Sequence, residues 1–138
     1  MIDDLPVDGK RSALMGRIRS KDTNPEMIVR KALHGLGYRF RLQAKELPGR
    51  PDIVFRPRKK VIFVHGCFWH RHADCSRSTT PKTRTDFWEA KFLANQARDR
   101  RAQKEIEAMG WKYLVVWECE TKSLEVLLRK LTGFIDED

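Results

Sequence analysis

The chain has 138 residues, 41% of them hydrophobic and 34% charged, which is enough for one buried core and short for two, so a single α/β-sized domain over residues 1–138 is expected. Lys and Arg number 28 against 19 acids, a net charge of +9, which favours a polyanionic partner with nucleic acid first, although a cationic surface also serves solubility. No apolar run is long enough to span a bilayer, and the opening "MIDDLPVDGK" has acids where a secretory leader is basic and then apolar; a soluble cytoplasmic protein without a membrane partner is expected.

In chain order, residues 1–22 begin acidic and turn basic, with Leu14 and Ile18 as the only helical apolar spacing, which suggests a basic arm that a partner orders. "DTNPEMIVRKALHGLG" reads as a helix. Thr23 or Asn24 caps it, Pro25 and Glu26 lie in the first turn, Gly35 or Gly37 stops it, and Met27, Val29, Leu33 and Leu36 form the inner face. "YRFRLQ" and "PDIVF" are short extended pieces. After the turn-like "RPRKK", "KKVIFV" carries four consecutive apolar residues and suits a strand covered on both faces.

A polar stretch, "SRSTTPKTRT", precedes a long helix from about Asp86 to Met109, with Trp88, Phe92, Ile106 and Met109 at helical intervals and Gly110 at its end. "WKYLVVWE" is a further strand, and "KSLEVLLRKLTG" an amphipathic helix with Leu124, Leu127, Leu128 and Leu131 on one side. Helix, three strands, helix, strand, helix is the order of one α/β domain.

Three cysteines cannot all pair within one chain, and near histidines in a cytosolic protein they suggest metal before disulfide. Cys67, His72 and Cys75 are spaced C-x4-H-x2-C, and Cys119 ends the later strand, a Cys3His set that suits a closed, structural zinc site. His65 and His70 are rival ligands that spacing alone does not eliminate, and small buried cysteines without metal are the plain alternative. Asp52 opens a strand and Glu26 lies on the helix before it; two such acids can hold Mg²⁺ against a phosphate, although each is also a common cap or salt-bridge residue. Histidines left over from zinc could move a proton at that phosphate. Phe68 and Trp69 are adjacent in a polar segment; if that segment is extended both cannot face one core, and exposure beside basic residues suits contact with bases. Trp88 fits a core position equally well.

The motifs "LPGRPD", "VIFVHGCFWH", "TRTDFW", "RDRR" and "VVWEC", in that order, closely resemble the very short patch repair (Vsr) DNA mismatch endonucleases from about Ser12 to Cys119. The resemblance implies a restriction-endonuclease-like mixed sheet flanked by helices, with a structural zinc site and two catalytic Mg²⁺ ions. It implies a monomer that nicks double-stranded DNA 5′ of the thymine in T:G mismatches left by deamination of 5-methylcytosine, at the bacterial nucleoid and with mismatch-repair proteins as further partners. Carried over by position, Asp52 binds magnesium, His70 activates water, Asp99 orients His70, Glu26 supports the second magnesium, and His65 lies near the scissile phosphate. Cys67, His72, Cys75 and Cys119 become the zinc ligands; Phe68, Trp69 and Trp88 insert beside the mismatch, and Met15 is wedged in from the minor groove.

Two departures from the family pattern carry structural expectations. The extra residue between His72 and Cys75 requires a bulged zinc loop. Val64 replaces a threonine where restriction-type enzymes carry an acid, so a magnesium contact there would come from its backbone carbonyl. The alternatives are a restriction or homing-type nuclease with another target, and a zinc-stapled DNA-binding module without catalysis.

Overall fold

A computed structural model describes residues 23–137, so Met15 and the basic arm lie outside the described residues. The elements are α1 (Asn24–Gly35), β1 (Arg41–Leu42), β2 (Ile53–Phe55), β3 (Lys60–His65), α2 (Thr85–Ala108), β4 (Lys112–Trp117) and α3 (Leu124–Ile135), in the order expected, with short 3-10 turns at Arg56–Arg58 and Glu118–Lys122. Among the described residues no helix is long and apolar enough to cross a membrane.

The sheet is four-stranded and mixed, in the order β1-β2-β3-β4. β1 and β2 pair antiparallel, as do β2 and β3, with Val54 opposite Val61. β4 lies parallel to β3, Ile62 opposite Leu114, and α2 supplies the crossover that a parallel pair needs. Strand alternation divides the core. Ile53, Phe55, Ile62 and Val116 pack with Val29, Leu33, Leu127, Leu131 and Ile135 under α1 and α3, whereas Val54, Val61 and Phe63 meet Ala102 and Ile106 of α2 on the other face. Fully burying a Leu or Ile contributes about 2–3 kcal/mol, so both faces of β3 are committed to the core.

Thr23 caps α1, accepting the Glu26 N–H at 3.5 Å, and the chain reverses at Gly37, whose φ of +86° glycine adopts without strain. The inner face of α1 departs from the expected one. Val29 and Leu33 are buried, but Met27 and Leu36 are each 38% exposed, and Glu26 and Arg30 take the inward positions. In α3, Leu124 is 60% exposed and Ile135 replaces it in the core; in α2, Met109 is 44% exposed. Lys60 is buried where β3 begins, its ammonium donating to the carbonyls of Phe134 (2.7 Å) and Ile135 (3.0 Å) and to that of Glu137. It thereby satisfies the C-terminal carbonyls of α3, where the helix dipole favours a cation, and fastens that helix to the central strand.

Candidate active site and metal centre

Asp52 stands just ahead of β2, its N–H on the Ile62 carbonyl at 3.1 Å, so the β2–β3 ladder fixes its backbone. Its Oδ2 accepts the Val64 N–H at 2.6 Å. Glu26 approaches from α1 and is held by Arg30 Nη2 at 3.4 Å. Burial raises the Asp52 carboxyl from its usual range to about 7; the nearby Glu26 carboxylate raises it too, against the opposing Val64 N–H and Arg30. Two partly dehydrated carboxyl groups facing one another are costly when both are charged, and a divalent cation between them relieves that cost. The donor set is all oxygen and therefore suits a hard cation.

Alternation along β3 turns His65 toward α2, the side of Val61 and Phe63. There its ring stacks on that of His70, with centroids 3.9 Å apart and planes 8° apart. His70 Nδ1 lies 2.7 Å from Asp99 Oδ2 and His65 Nε2 lies 3.9 Å from Asp99 Oδ1. A 2.7 Å contact is a charge-assisted hydrogen bond, shorter than the separation of roughly 3 Å between two ligands on one first-row metal. The arrangement suits proton handling: an Asp99 carboxylate accepting from Nδ1 of His70 would leave Nε2 as the unprotonated nitrogen. Burial, with His70 alongside, depresses His65 to about 3, so His65 is neutral near pH 7.

Glu26, Asp52, Val64, His65, His70 and Asp99 line one cavity of about 650 Å³. Gly49, Arg50, Asn95, Arg98, Ala102 and Gln103 also line it; Gly49, Arg50 and Arg98 fall within the quoted motifs, but none of the six was given a role from the sequence. A helical-periodicity signal existed for some of them, since Asn95 and Gln103 lie one turn either side of Asp99. Gly49, at φ +73°, lets the loop carrying Arg50 press onto α2: a Cβ there would come 2.5 Å from the Ala102 Cβ. Arg50 and Arg98 are exposed, and no side-chain partner is found for either guanidinium among the described residues.

The second cluster is Cys67, His72, Cys75 and Cys119, whose ligand atoms all lie within 4.8 Å of one another. His72 Nδ1 is 3.7 Å from Cys67 Sγ and 3.4 Å from Cys119 Sγ. Tetrahedral zinc at ordinary Zn–S and Zn–N lengths sets S···N edges of roughly 3.5 Å, so these four residues fit the ion. Between His72 and Cys75 the backbone is left-handed at Asp74 (φ +54°), as it is at Arg71 (φ +55°) just before His72. Trp117 stacks on His72 with centroids 4.3 Å apart and meets His65 edge-on at 5.3 Å, so one ring separates the two clusters.

The aromatic pair departs from its expected geometry. The segment is turned, not extended, with the His70 N–H on the Gly66 carbonyl (3.1 Å) and the His72 N–H on that of Cys67 (3.0 Å), so Phe68 and Trp69 share one cluster. Phe68 lies 5.2 Å from Phe92 and Trp69 6.1 Å from Trp88 between centroids. Both are half-buried, whereas Trp88 is only 3% exposed.

Comparison with known proteins places the chain in a family. The chain matches the family described as DNA mismatch endonuclease Vsr over residues 3–77, more than half its length. It is 50% identical over 127 residues to the type II nicking enzyme V.XorIIP of Xanthomonas oryzae pv. oryzae, covering 92% of this chain and 93% of that one. It is 44% identical over 124 residues to the DNA mismatch endonuclease Vsr of Escherichia coli, covering 90% and 79%, and 42% identical over 134 residues to the type II nicking enzyme V.NmeAIP of Neisseria meningitidis, covering 97% and 95%. The protein is a DNA endonuclease, with DNA as its partner. It belongs to the Vsr family of DNA mismatch endonucleases.

The zinc set yields a stability prediction. With zinc held by these four residues, Cys119→Ser would open the tetrahedral set that joins the segment after β3 to the end of β4. Zinc content should fall well below one per chain, with a loss of about 3 kcal/mol, roughly 10 °C in Tm for a domain of this size. A variant that keeps one zinc per chain and wild-type melting removes Cys119 from the set.

Proposed function

We propose that this endonuclease is Mg²⁺-dependent and strand-specific, nicking duplex DNA 5′ of the thymine in T:G mismatches left by 5-methylcytosine deamination, as a monomer acting in very short patch repair. The observation that carries the reading is the convergence of Glu26, Asp52, Val64, His65, His70 and Asp99 on one cavity, which binding alone would not require. Its support is family membership and the names of relatives that are themselves nicking enzymes. The mixed sheet flanked by helices is read as restriction-endonuclease-like, and residues 1–138 as one domain whose basic arm, 1–22, grips phosphates.

In this reading Asp52, the Val64 carbonyl and Glu26 would hold magnesium, two ions in all, and Cys67, His72, Cys75 and Cys119 one zinc. Magnesium would neutralise phosphate charge and acidify bound water. His70 Nε2 takes the proton of the attacking water, and Asp99 stabilises the imidazolium that forms. His65, neutral and stacked beside it, interacts with the phosphate without adding a second positive charge to the ring pair. Arg50 and Arg98, which both line the cavity, grip flanking phosphates. Phe68 and Trp69, already half-exposed, insert at the mismatch from the major groove with Trp88 packed behind them, and Met15 enters from the minor groove.

Nicking of a panel of mismatched duplexes with varied flanks, with the cut mapped on each strand, tests this directly. T:G duplexes should be cut at least about 100-fold faster than T:A, a difference of about 2.7 kcal/mol. Cutting that ignores the mismatch would favour a restriction-type enzyme, for which the same cavity would serve.

A further inference from the structure

Arg71 lies between His70 and His72 and has no part in the hydrolysis or in the Cys3His set, yet its guanidinium makes more contacts than any other in the loop. Nη1 donates to the carbonyls of Thr79 (2.8 Å) and Phe68 (3.5 Å), and Nη2 to the Ser78 carbonyl (2.9 Å) and Thr80 Oγ1 (3.0 Å). The same group lies 4.0 Å from the Phe92 ring centroid and 5.8 Å from that of Phe68. Ser78 closes the arrangement, its hydroxyl lying 2.8 Å from the carbonyl oxygens of both Cys67 and His72. On the other side of the turn, Asn95 Nδ2 donates to the Trp69 carbonyl at 3.3 Å. Both carbonyls of the aromatic pair are thus held by side chains, while the rings stay half-exposed.

We infer that Arg71 is a positioning residue for mismatch recognition: it pins the Phe68 backbone and ring against α2 and ties them to residues 78–80, so that the wedge is ordered before DNA arrives. The inference rests on the reading of Phe68 and Trp69 as the wedge. A planar, forked cation suits this task because it can satisfy several carbonyls in one plane while its face covers an aromatic ring, which an ammonium cannot do. Ordering in advance removes an entropic cost from the binding step and leaves the chemistry at His70 untouched, since His70 is held separately by Asp99.

The test compares zinc-loaded wild type, Arg71→Ala and Arg71→Lys on T:G and T:A duplexes whose flanks wild type cuts best. The expected result for Arg71→Ala is a fall of about tenfold in T:G over T:A affinity, the scale of losing charge-assisted bonds and a cation–π contact, with the nicking rate at saturating T:G duplex within about threefold of wild type. Arg71→Lys, which keeps the charge and loses the fork, should restore only part of the preference. Tryptophan quenching by acrylamide in the DNA-free protein should rise in Arg71→Ala. Unchanged T:G preference, equal loss on both duplexes, or unchanged quenching would each overturn the inference; if Arg71→Ala loses zinc, Arg71→Lys is judged by the same criteria. A wild type without T:G preference would instead refute the proposed function, and the quenching comparison would still decide whether Arg71 orders the aromatic pair.

Discussion

Asp52→Asn is expected to abolish Mg²⁺-dependent nicking, by about 10³-fold or more, and at the same time to raise the melting temperature of the metal-free protein at pH 8. The first effect follows from removing a charged oxygen from the proposed magnesium set, a loss of about 4 kcal/mol or more. The second follows from burial. In the unfolded chain Asp52 ionises at its ordinary 3.8, whereas in the fold it holds its proton to about 7. Between those values the folded state binds the proton that the unfolded state has lost, so stability falls as pH rises and the penalty is complete above about 7. Asparagine is nearly isosteric, can still accept the Val64 N–H, and carries no charge to desolvate. The gain at pH 8 should be on the order of 2 kcal/mol, several degrees in Tm, and should shrink to nothing as pH falls toward 4. Magnesium should then stabilise wild type and not the variant. Wild type should also need about tenfold more Mg²⁺ per pH unit below 7, because protons and metal compete for one carboxylate. An active Asp52→Asn enzyme, or one that is less stable at pH 8, contradicts this assignment.

His70→Ala should lower the nicking rate at saturating DNA by about 10²–10⁴-fold while leaving T:G affinity within about threefold, since the imidazole is assigned to proton transfer and not to grip. Asp99→Asn should fall in the same range because an amide facing His70 Nδ1 no longer selects the tautomer that leaves Nε2 as the base. The double variant should be no worse than His70→Ala alone, since the two act as one unit. Additive losses would mean that Asp99 acts elsewhere. His65 makes the opposite contribution to acid stability from Asp52. It ionises near 6.5 when unfolded and near 3 when folded, so the stability it confers is present above about 6.5 and lost as pH falls toward 3. From about 4 to 6.5 the two slopes oppose one another.

The order of elements and the two-faced burial of β3 could be read from the sequence because capping, glycine stops and a four-residue apolar run are local signals. The inner face of α1 could not. Met27 and Leu36 are apolar and point outward, whereas Glu26 and Arg30 point inward because Glu26 must reach Asp52, a requirement that lies across the fold from the helix itself. Leu124 failed for a simpler reason: it occupies the first residue of α3, where the helix has not yet reached the core that Leu127, Leu131 and Ile135 meet. The Cys3His set was legible as spacing, but choosing between His70 and His72 depended on resemblance. In the fold Asp99 lies beside the His70 ring and two thiols beside that of His72, which favours His72 as the ligand. Arg71 carried no signal at all, since its value depends on where three later residues and the Phe92 ring arrive.

On α2, Asn95 and Asp99 are one helical turn apart, and they hold two consecutive residues of the chain, Trp69 by its carbonyl and His70 by its ring. Under the proposed function, the reach from an unstacked base step to the broken bond is then a fixed length, set by one peptide unit laid along a rigid rod. Preferences for neighbouring bases could be rewritten on other surfaces over evolutionary time without moving the cut, and enzymes with very different targets could share one cleavage offset.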